Sequence, residues 1–394
     1  MTRSSRTGGA PRRRAEHPAA RRRARLTPAL TAALGAGALA LPLLAGAPAA
    51  AGPVQTGPVQ AGPVTAAEEA RPNDDPGLLQ VYDANVENLP TTDERPPEQC
   101  AGDWHDLMYY MRTQELKPDV YLVQQLSDRA QLDLLLDRMR THFGEEYAGV
   151  LAEDDPKPKT GGECDAFKKR QTNAVIWRTD RLELVKSASP ANRWQAQNEV
   201  GGVCVNNDQP RTKGVKALLH DKVADRTVTA ASFHWPTMGH GGDACADSNT
   251  GELSNELTED GYDSDPAHGA TDLYVAGGDT NAHDRRDGAW RTWYEAANGD
   301  LGGKYGFRDA VYAHCAAQAD PAGCRADRWT LETSALRRVD YVLARKPGGA
   351  LPRISGTVVP TFADGDRADE ELTDDGDSPL GYSDHRAVGA RVHY

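Results

Sequence analysis

Residues 79–89 read Leu79-Gln80-Val81-Tyr82-Asp83-Ala84-Asn85-Val86-Glu87-Asn88-Leu89. Leu79–Val86 is a short apolar run that alternates toward its end, which predicts a strand. Side chains two apart share a strand face, so Asp83, Asn85 and Glu87 can point one way. Further along, apolar residues at helical spacing predict a helix over Trp104–Leu116, stopped by Pro118. Asp119–Gln125 reads as a strand from its Val, Tyr and Leu content. Ala130–His142 reads as an amphipathic helix, with Leu132, Leu135, Leu136 and Met139 on one stripe.

Strands then dominate: Asn173–Trp177, Leu182–Val185, Lys213–Leu219, Thr227–Trp235, Asp272–Gly277, Arg338–Leu343 and Ala387–His393. Helix returns around Gly288–Ala297. Two helical crossovers among many strands predict an α/β fold of two sheets packed face to face with helices outside. Gly239–Ala270 and the acidic stretch Ala363–Pro379 carry no period and read as surface loops.

The chain of 394 residues has a formal charge of −13, and that number hides a split. Residues 1–51 hold nine Arg, no Lys and one acid, a net of +8, which leaves −21 for the remainder. A body this acidic argues against holding nucleic acid by a broad basic surface. It is compatible with an enzyme that meets phosphates through bound metal ions. With 39% hydrophobic and 26% charged residues, the chain can bury a core, which excludes disorder throughout and a multi-span membrane protein.

The first segment reads as an address. Arg12–Arg14 and Arg21–Arg23 precede an apolar run from Leu26 to Leu44, then Ala47-Pro48-Ala49-Ala50-Ala51. That order reads as a secretory signal peptide over 1–51, with a single membrane anchor as the alternative, and predicts a secreted, extracellular protein without stable membrane insertion. Residues 52–77, rich in Pro, Gly and Ala, read as a linker, and 78–394 as one catalytic domain. Six cysteines follow the signal: Cys100, Cys164, Cys204, Cys245, Cys315 and Cys324. An even count in an exported chain predicts three disulfides, with Cys315–Cys324 the easiest local closure. No Cys-x-x-Cys pair points to zinc or redox chemistry. No oligomerisation motif is visible, so a monomer is expected.

Polar groups recur at strand ends. His234 ends one strand, Gly278-Asp279-Thr280-Asn281 ends another, Asp340 lies inside Arg338-Val339-Asp340-Tyr341-Val342, and Ser383-Asp384-His385 precedes the last strand. A Gly-Asp-x-Asn suits a turn, and a strand-end His is usually structural. Asp340 is the more informative residue, because a carboxylate inside a strand needs a partner.

In this order, with Asn85–Leu89 and Pro118-Asp119-Val120-Tyr121-Leu122-Val123-Gln124-Gln125, the set resembles the endonuclease/exonuclease/phosphatase superfamily. The resemblance spans residues 79–394 and implies the deoxyribonuclease I-like fold, a four-layered α/β sandwich. It implies hydrolysis of phosphoester bonds with a divalent metal, Mg2+ or Mn2+. It makes His385 the general base for the attacking water and Asp340 the residue that orients its ring. His234, Asp279 and Asn281 would hold the phosphoryl group and the nucleophile. Asn85, Gln125 and Asp384 would belong to the metal shell.

The chain departs from that family at one position. The strand matching 118–125 usually ends Gln-Glu, and that Glu is the principal metal ligand; here it ends Gln124-Gln125. An amide oxygen ligates without charge, so affinity for a hard cation should fall. Three readings stay open: an enzyme in which Glu87, or second Asp83, replaces the missing acid; a weak enzyme; and a pseudoenzyme that binds without turnover. Arg170 and Asn173 are further candidates for contact with a substrate phosphate. Trp235 is expected in the core. The carboxylates of Ala363–Asp377 are either a solvated acidic loop or a structural Ca2+ site.

The leading expectation is a secreted phosphodiesterase, a nuclease on DNA or RNA, using local bases such as Lys168–Arg170 and Arg285–Arg286. The alternative is a phosphohydrolase on small or lipid phosphoesters, like sphingomyelinases or inositol phosphatases. Against a lipid enzyme stands the lack of an aromatic cluster for an interface, with aromatics at 6%.

Overall fold

Alternate residues of the first strand enter two different cores, and that alternation organises the whole molecule. Leu79 and Val81 join one cluster while Tyr82 and Ala84 join another. The computed structural model describes residues 70–86, 104–156, 170–185, 193–195, 204, 213–236, 242–258, 262–331, 336–359, 383 and 385–394. The expected signal peptide, most of the linker, Glu87, Cys100, Cys164, Ala363–Pro379 and Asp384 lie outside them.

The strands are β1 (Leu78–Asn85), β2 (Val120–Leu126), β3 (Tyr147–Leu151), β4 (Thr172–Arg178), β5 (Leu182–Leu184), β6 (Arg193–Gln195), β7 (Lys213–Asp221), β8 (Arg226–His234) and β9 (Ser264–Asp265). Then follow β10 (Gly269–Ala270), β11 (Leu273–Asp279), β12 (Arg285–Arg286), β13 (Ala289–Trp290), β14 (Arg308–Asp309), β15 (Asp340–Arg345), β16 (Ile354–Val358) and β17 (Val388–His393). The helices are α1 (Trp104–Arg112), α2 (Arg129–Phe143), α3 (Gly242–Leu257), α4 (Thr292–Ala297), α5 (Ala310–Ala316) and α6 (Pro321–Ala326).

One sheet has the order β16-β17-β1-β2-β4-β3, and the other β14-β15-β11-β8-β7-β5 with β6 also on β7. Both are mixed: β1 runs parallel to β2 and antiparallel to β17, and β11 runs parallel to β8 and antiparallel to β15. The sheets face each other across Leu79, Val81, Leu122, Val175, Val228, Val275, Val342 and Val388. Leu107, Met111, Leu132, Leu135 and Met139 from α1 and α2 cover the outer face of the first sheet. Leu253, Leu257, Trp293 and Tyr294 from α3 and α4 cover that of the second. This is the expected four-layered α/β sandwich. Each fully buried large apolar side chain contributes about 1.5–3 kcal/mol to holding the layers together.

Two glycines set how closely β11 approaches its neighbours. A Cβ on Gly278 would stand 2.1 Å from the Phe233 carbonyl oxygen, and one on Gly277 would stand 2.6 Å from Asp83 Oδ1. Bare backbone there lets the two sheets meet where polar side chains must converge.

Several expectations need correction. Gly239–Ala270 is not all loop, because α3 occupies Gly242–Leu257. Its buried face is Cys245, Ala246, Asn249, Thr250, Leu253 and Leu257, a helical stripe built largely from small and polar residues. The first helix ends at Arg112 rather than Leu116, and Leu116 instead bridges to Arg71. The helix expected from Gly288 begins at Thr292, because Asp287 (φ 53°) and Gly288 (φ 83°) turn a hairpin between β12 and β13.

The end of the expected linker, residues 70–77, is also packed. The buried guanidinium of Arg181 donates to the carbonyls of Asn73 (2.9 Å), Asp75 (2.9 Å) and Leu78 (2.8 Å), and Arg178 donates to Asn73 at 2.6 Å. Asp119 and Asp221 hold Arg181 in place at 3.3 and 2.8 Å.

Candidate active site

The site is the polar continuation of the core between the sheets. Along β1 the inward column runs Leu79, Val81, Asp83, Asn85; along β8 it runs Val228, Ala230, Ser232, His234; along β11 it runs Leu273, Val275, Gly277, Asp279. The inward column of β15 starts at Asp340, and that of β4 starts at Asn173. Strand period therefore carries each polar residue to one end of one interlayer space.

Register does the rest. Asp279 pairs directly with His234 on β8 and with Asp340 on β15. Two carboxylates stand opposite each other, an arrangement that disfavours charging both. Burial, with Asp340 adding to it against the pull of His385, pushes the Asp279 carboxyl up to about 7.

His385 brings the first sheet's chain into this row. Its Nδ1 is 2.8 Å from Asp340 Oδ2, and its Nε2 is 3.8 Å from Asp279 Oδ2. Asn85 Nδ2 donates to Asp279 Oδ2 at 3.1 Å and stands 3.5 Å from His385 Nε2. On the other flank, His234 Nε2 is 3.3 Å from the same Asp279 oxygen. Asn281 lies 2.9 Å from His234 Nε2 through its Nδ2, which also donates to the Trp235 carbonyl at 2.8 Å. The Asn281 backbone N–H donates to Asp279 Oδ1 at 2.7 Å, and its φ of 49° is left-handed. Strain of that kind is affordable where several bonds fix one conformation. Two imidazoles thus flank one carboxylate, which can position a water and an anionic group between them.

The base of the site is a polar network that the sequence reading did not anticipate. Gln124 Nε2 donates to Asp83 Oδ1 at 2.8 Å and to Ser232 Oγ at 3.1 Å, and Ser232 Oγ donates to the Val123 carbonyl at 2.9 Å. The network ties β1, β2 and β8 beneath Asn85 and Asp279. Burial, reinforced by Asp340, raises the Asp83 carboxyl well above the usual carboxylate range. Thr330 is a second unanticipated support, accepting the backbone N–H groups of Val339 (2.9 Å) and Asp340 (3.0 Å) on its Oγ1. Strand-interior Gln and Ser give a visible signal as inward residues on apolar strands. Thr330 gives none.

The donor chemistry suits a hard divalent cation. Asp279, Asp340 and His385 converge, with candidate ligand atoms within 4.8 Å of one another. Asp340 Oδ1 is buried and accepts no hydrogen bond among the described residues. The oxygens of Asn85, Asp279 and Asp340 are the type Mg2+ or Mn2+ prefers.

The remaining expected residues divide. Gln125 sits at a register shift between β2 and β4 with a φ of 60°, and its Oε1 accepts from Gln171 Nε2 at 3.0 Å. Asn173 is buried and donates to the Lys213 carbonyl at 2.7 Å, while its Oδ1 has no hydrogen-bond partner among the described residues. Arg170 is exposed and salt-bridged to Asp155. Trp235 is core, its ring stacked on Phe233 at 4.9 Å and edge-on to Trp293 at 5.9 Å. Glu87 and Asp384 lie outside the described residues.

Solved structures similar to this chain come from several organisms. An endonuclease/exonuclease/phosphatase protein from Bacteroides vulgatus is 16% identical, with 80% of this chain and 98% of that one covered and a TM-score of 0.49. The human Nocturnin catalytic domain with bound sulfate is 16% identical over 80% of this chain and 93% of that one, TM-score 0.48. A D. rerio TDP2 humanized by 14 mutations is 15% identical over 80% and 99%, TM-score 0.48. No family model and no curated protein matches the chain.

Proposed function

We propose that this protein is a secreted, metal-dependent phosphodiesterase that hydrolyses DNA or RNA. The observation that carries the reading is the His385–Asp340 pair, with His385 Nε2 directed at the same Asp279 oxygen that faces His234. The ordered motifs that resemble the endonuclease/exonuclease/phosphatase superfamily supply these same residues.

The chemistry follows from the atoms. The Asp340 carboxylate accepts Nδ1–H and so leaves the lone pair on Nε2, the nitrogen facing the site. Nε2 takes one proton from water as its oxygen forms a bond to phosphorus. The P–O bond to the leaving oxygen breaks, that oxygen takes a proton from solvent, and Nε2 returns its proton to solvent. Asn281 holds the His234 ring in place, and His234, when protonated at Nε2, donates to the non-bridging oxygens, where negative charge accumulates. Asp279 orients the attacking water. A divalent cation held by Asn85, Asp279 and Asp340, with Gln125, Glu87 and Asp384 as further candidates, supplies charge neutralisation for the phosphoryl group when bound.

Export is supported by the residue order of 1–51 and by the disulfides Cys204–Cys245 and Cys315–Cys324. Among the described residues no helix is long and apolar enough to cross a membrane.

Gln125 favours a second reading, a binder without turnover, because its amide oxygen is already engaged by Gln171. The experiment is cleavage by the mature, oxidised chain of plasmid DNA, RNA, bis-p-nitrophenyl phosphate and sphingomyelin, with Mg2+, Mn2+ or EDTA. Loss of polymer that stops in EDTA supports the nuclease. Turnover of sphingomyelin alone moves the assignment to lipid phosphoesters, and silence throughout selects the binder.

A further inference from the structure

A basic and aromatic cavity of about 400 Å³ adjoins the site, with His283, Arg285, Arg325, Trp329, Leu336 and Arg338 among its walls. Its size falls in the range of small-ligand pockets. Part of its wall belongs to chain segments that carry the site, and α6 supplies the rest. His283 follows Asn281 by two residues, and Arg338 precedes Asp340 by two. Two residues span at most about 7 Å. Trp329 precedes Thr330, whose carbonyl accepts the Arg386 N–H next to His385, and the Arg386 guanidinium lies 3.3 Å over the Trp329 ring.

Not every cation in the wall is available. Arg338 is neutralised by Asp284 at 2.7 Å and Asp309 at 2.6 Å. Burial acts to raise Asp284, but Arg338 and His283 overrule it and hold that carboxyl well below the usual range. Arg285 and Arg325 differ. Their guanidinium groups lie over the Trp290 ring, 4.5 and 5.0 Å from its centre, and neither has a carboxylate partner among the described residues. Stacking on an aromatic face fixes a guanidinium plane. Arg285 Nη2 donates to the Gly288 carbonyl, and the other N–H groups of Arg285 and those of Arg325 are left to meet an anion. The Arg325 Nε is buried and makes no hydrogen bond among the described residues. Beside them stand the indole of Trp329 and the side chain of Leu336, which is 53% exposed. In a body of net charge −21, two guanidiniums without carboxylates next to a flat apolar wall suit a ligand that is anionic at one end and aromatic at the other.

We propose that this cavity is a nucleotide subsite. It takes the nucleotide adjoining the scissile linkage, with the base against Trp329 and Leu336 and the phosphate on Arg285 and Arg325. The inference rests on the phosphodiesterase reading and deepens it, naming a nucleic acid rather than a lipid or sugar phosphate as the substrate.

The test is calorimetric titration of the full oxidised chain in EDTA with deoxyadenosine 5′-monophosphate, 2-deoxyribose 5-phosphate and inorganic phosphate. The nucleotide is expected to bind with a Kd of about 1 mM or lower, and the other two about ten-fold more weakly. Trp329→Ala should weaken the nucleotide alone by about ten-fold, the loss one base–aromatic stack carries, and Trp329→Phe should restore it. Replacing both Arg285 and Arg325 by Ala should weaken nucleotide and phosphate alike. Nucleotide binding no tighter than phosphate, or indifferent to Trp329→Ala, overturns the subsite. Cleavage assays separate the two ideas: nucleotide binding without hydrolysis supports the cavity and overturns the enzyme, while hydrolysis without nucleotide binding overturns the cavity alone.

Discussion

His385 Nδ1 and Asp340 Oδ2 stand 2.8 Å apart although 45 residues separate them in sequence. Asp340 opens β15 in the second sheet, and His385 lies just before β17 in the first. The pair therefore closes across the two sheets at the end of their shared core. An acid–base group held this way is oriented by the fold itself, with little side-chain freedom left to restrict.

Asp279 makes the stability of the metal-free protein depend on pH. Its carboxyl rises from 3.8 to about 7 on folding, so its contribution is complete below about pH 4 and is lost as pH rises through about 7. Asp83 and Asp119 are also raised by burial, so the wild-type slope is a sum. Asp279→Asn isolates one share, because the amide copies the neutral acid. Calorimetry in EDTA should show the variant melting above wild type at pH 8, with the gap closing at pH 5. Equal slopes for the two proteins would show that Asp279 ionises freely in the fold.

Gln125 is where a single charge should change metal affinity. Gln125→Glu adds a carboxylate, and a carboxylate oxygen can still accept from Gln171. Titration with Mg2+ should show a dissociation constant lowered about ten-fold or more, since ligand charge count tunes such sites. An unchanged constant would mean that this side chain does not reach the cation.

Gly278 is a steric requirement of the site. Its Cβ would meet the Phe233 carbonyl at 2.1 Å, and backbone cannot swing aside as a side chain can. Gly278→Ala should destabilise the fold by about 3 kcal/mol, read as a lower urea midpoint. Gly144→Ala serves as comparison: nothing lies within 4 Å of its Cβ, and its cost is the left-handed φ of 69° alone. A midpoint for Gly278→Ala above that of Gly144→Ala would contradict the close approach.

The strands and the site's inward residues were readable because period-two alternation fixes which side chains face one way. Asp83 and Asn85, or His234 after Ser232, needed only a strand and a parity. What could not be read was pairing. Nothing local says that Asp279 stands between His234 and Asp340, which is a matter of register. Helix α3 escaped because its buried stripe passes through Asn249 and Thr250, which carry little hydropathy signal. The attachment of residues 70–77 to the body escaped because it runs largely through backbone carbonyls that accept from Arg178 and Arg181. The polar network of Asp83, Gln124 and Ser232 joins three strands that only the tertiary fold brings together.

The most direct test of the catalytic reading is a double-mutant cycle on His385 and Asp340, using Mg2+-dependent hydrolysis of bis-p-nitrophenyl phosphate. If Asp340 acts by holding the His385 ring, His385→Ala and Asp340→Asn should each lower kcat by about 10²–10⁴. The double variant should then be no slower than the slower single, because the two act as one unit. Effects that multiply in the double variant, or a wild-type rate in His385→Ala, would contradict the account.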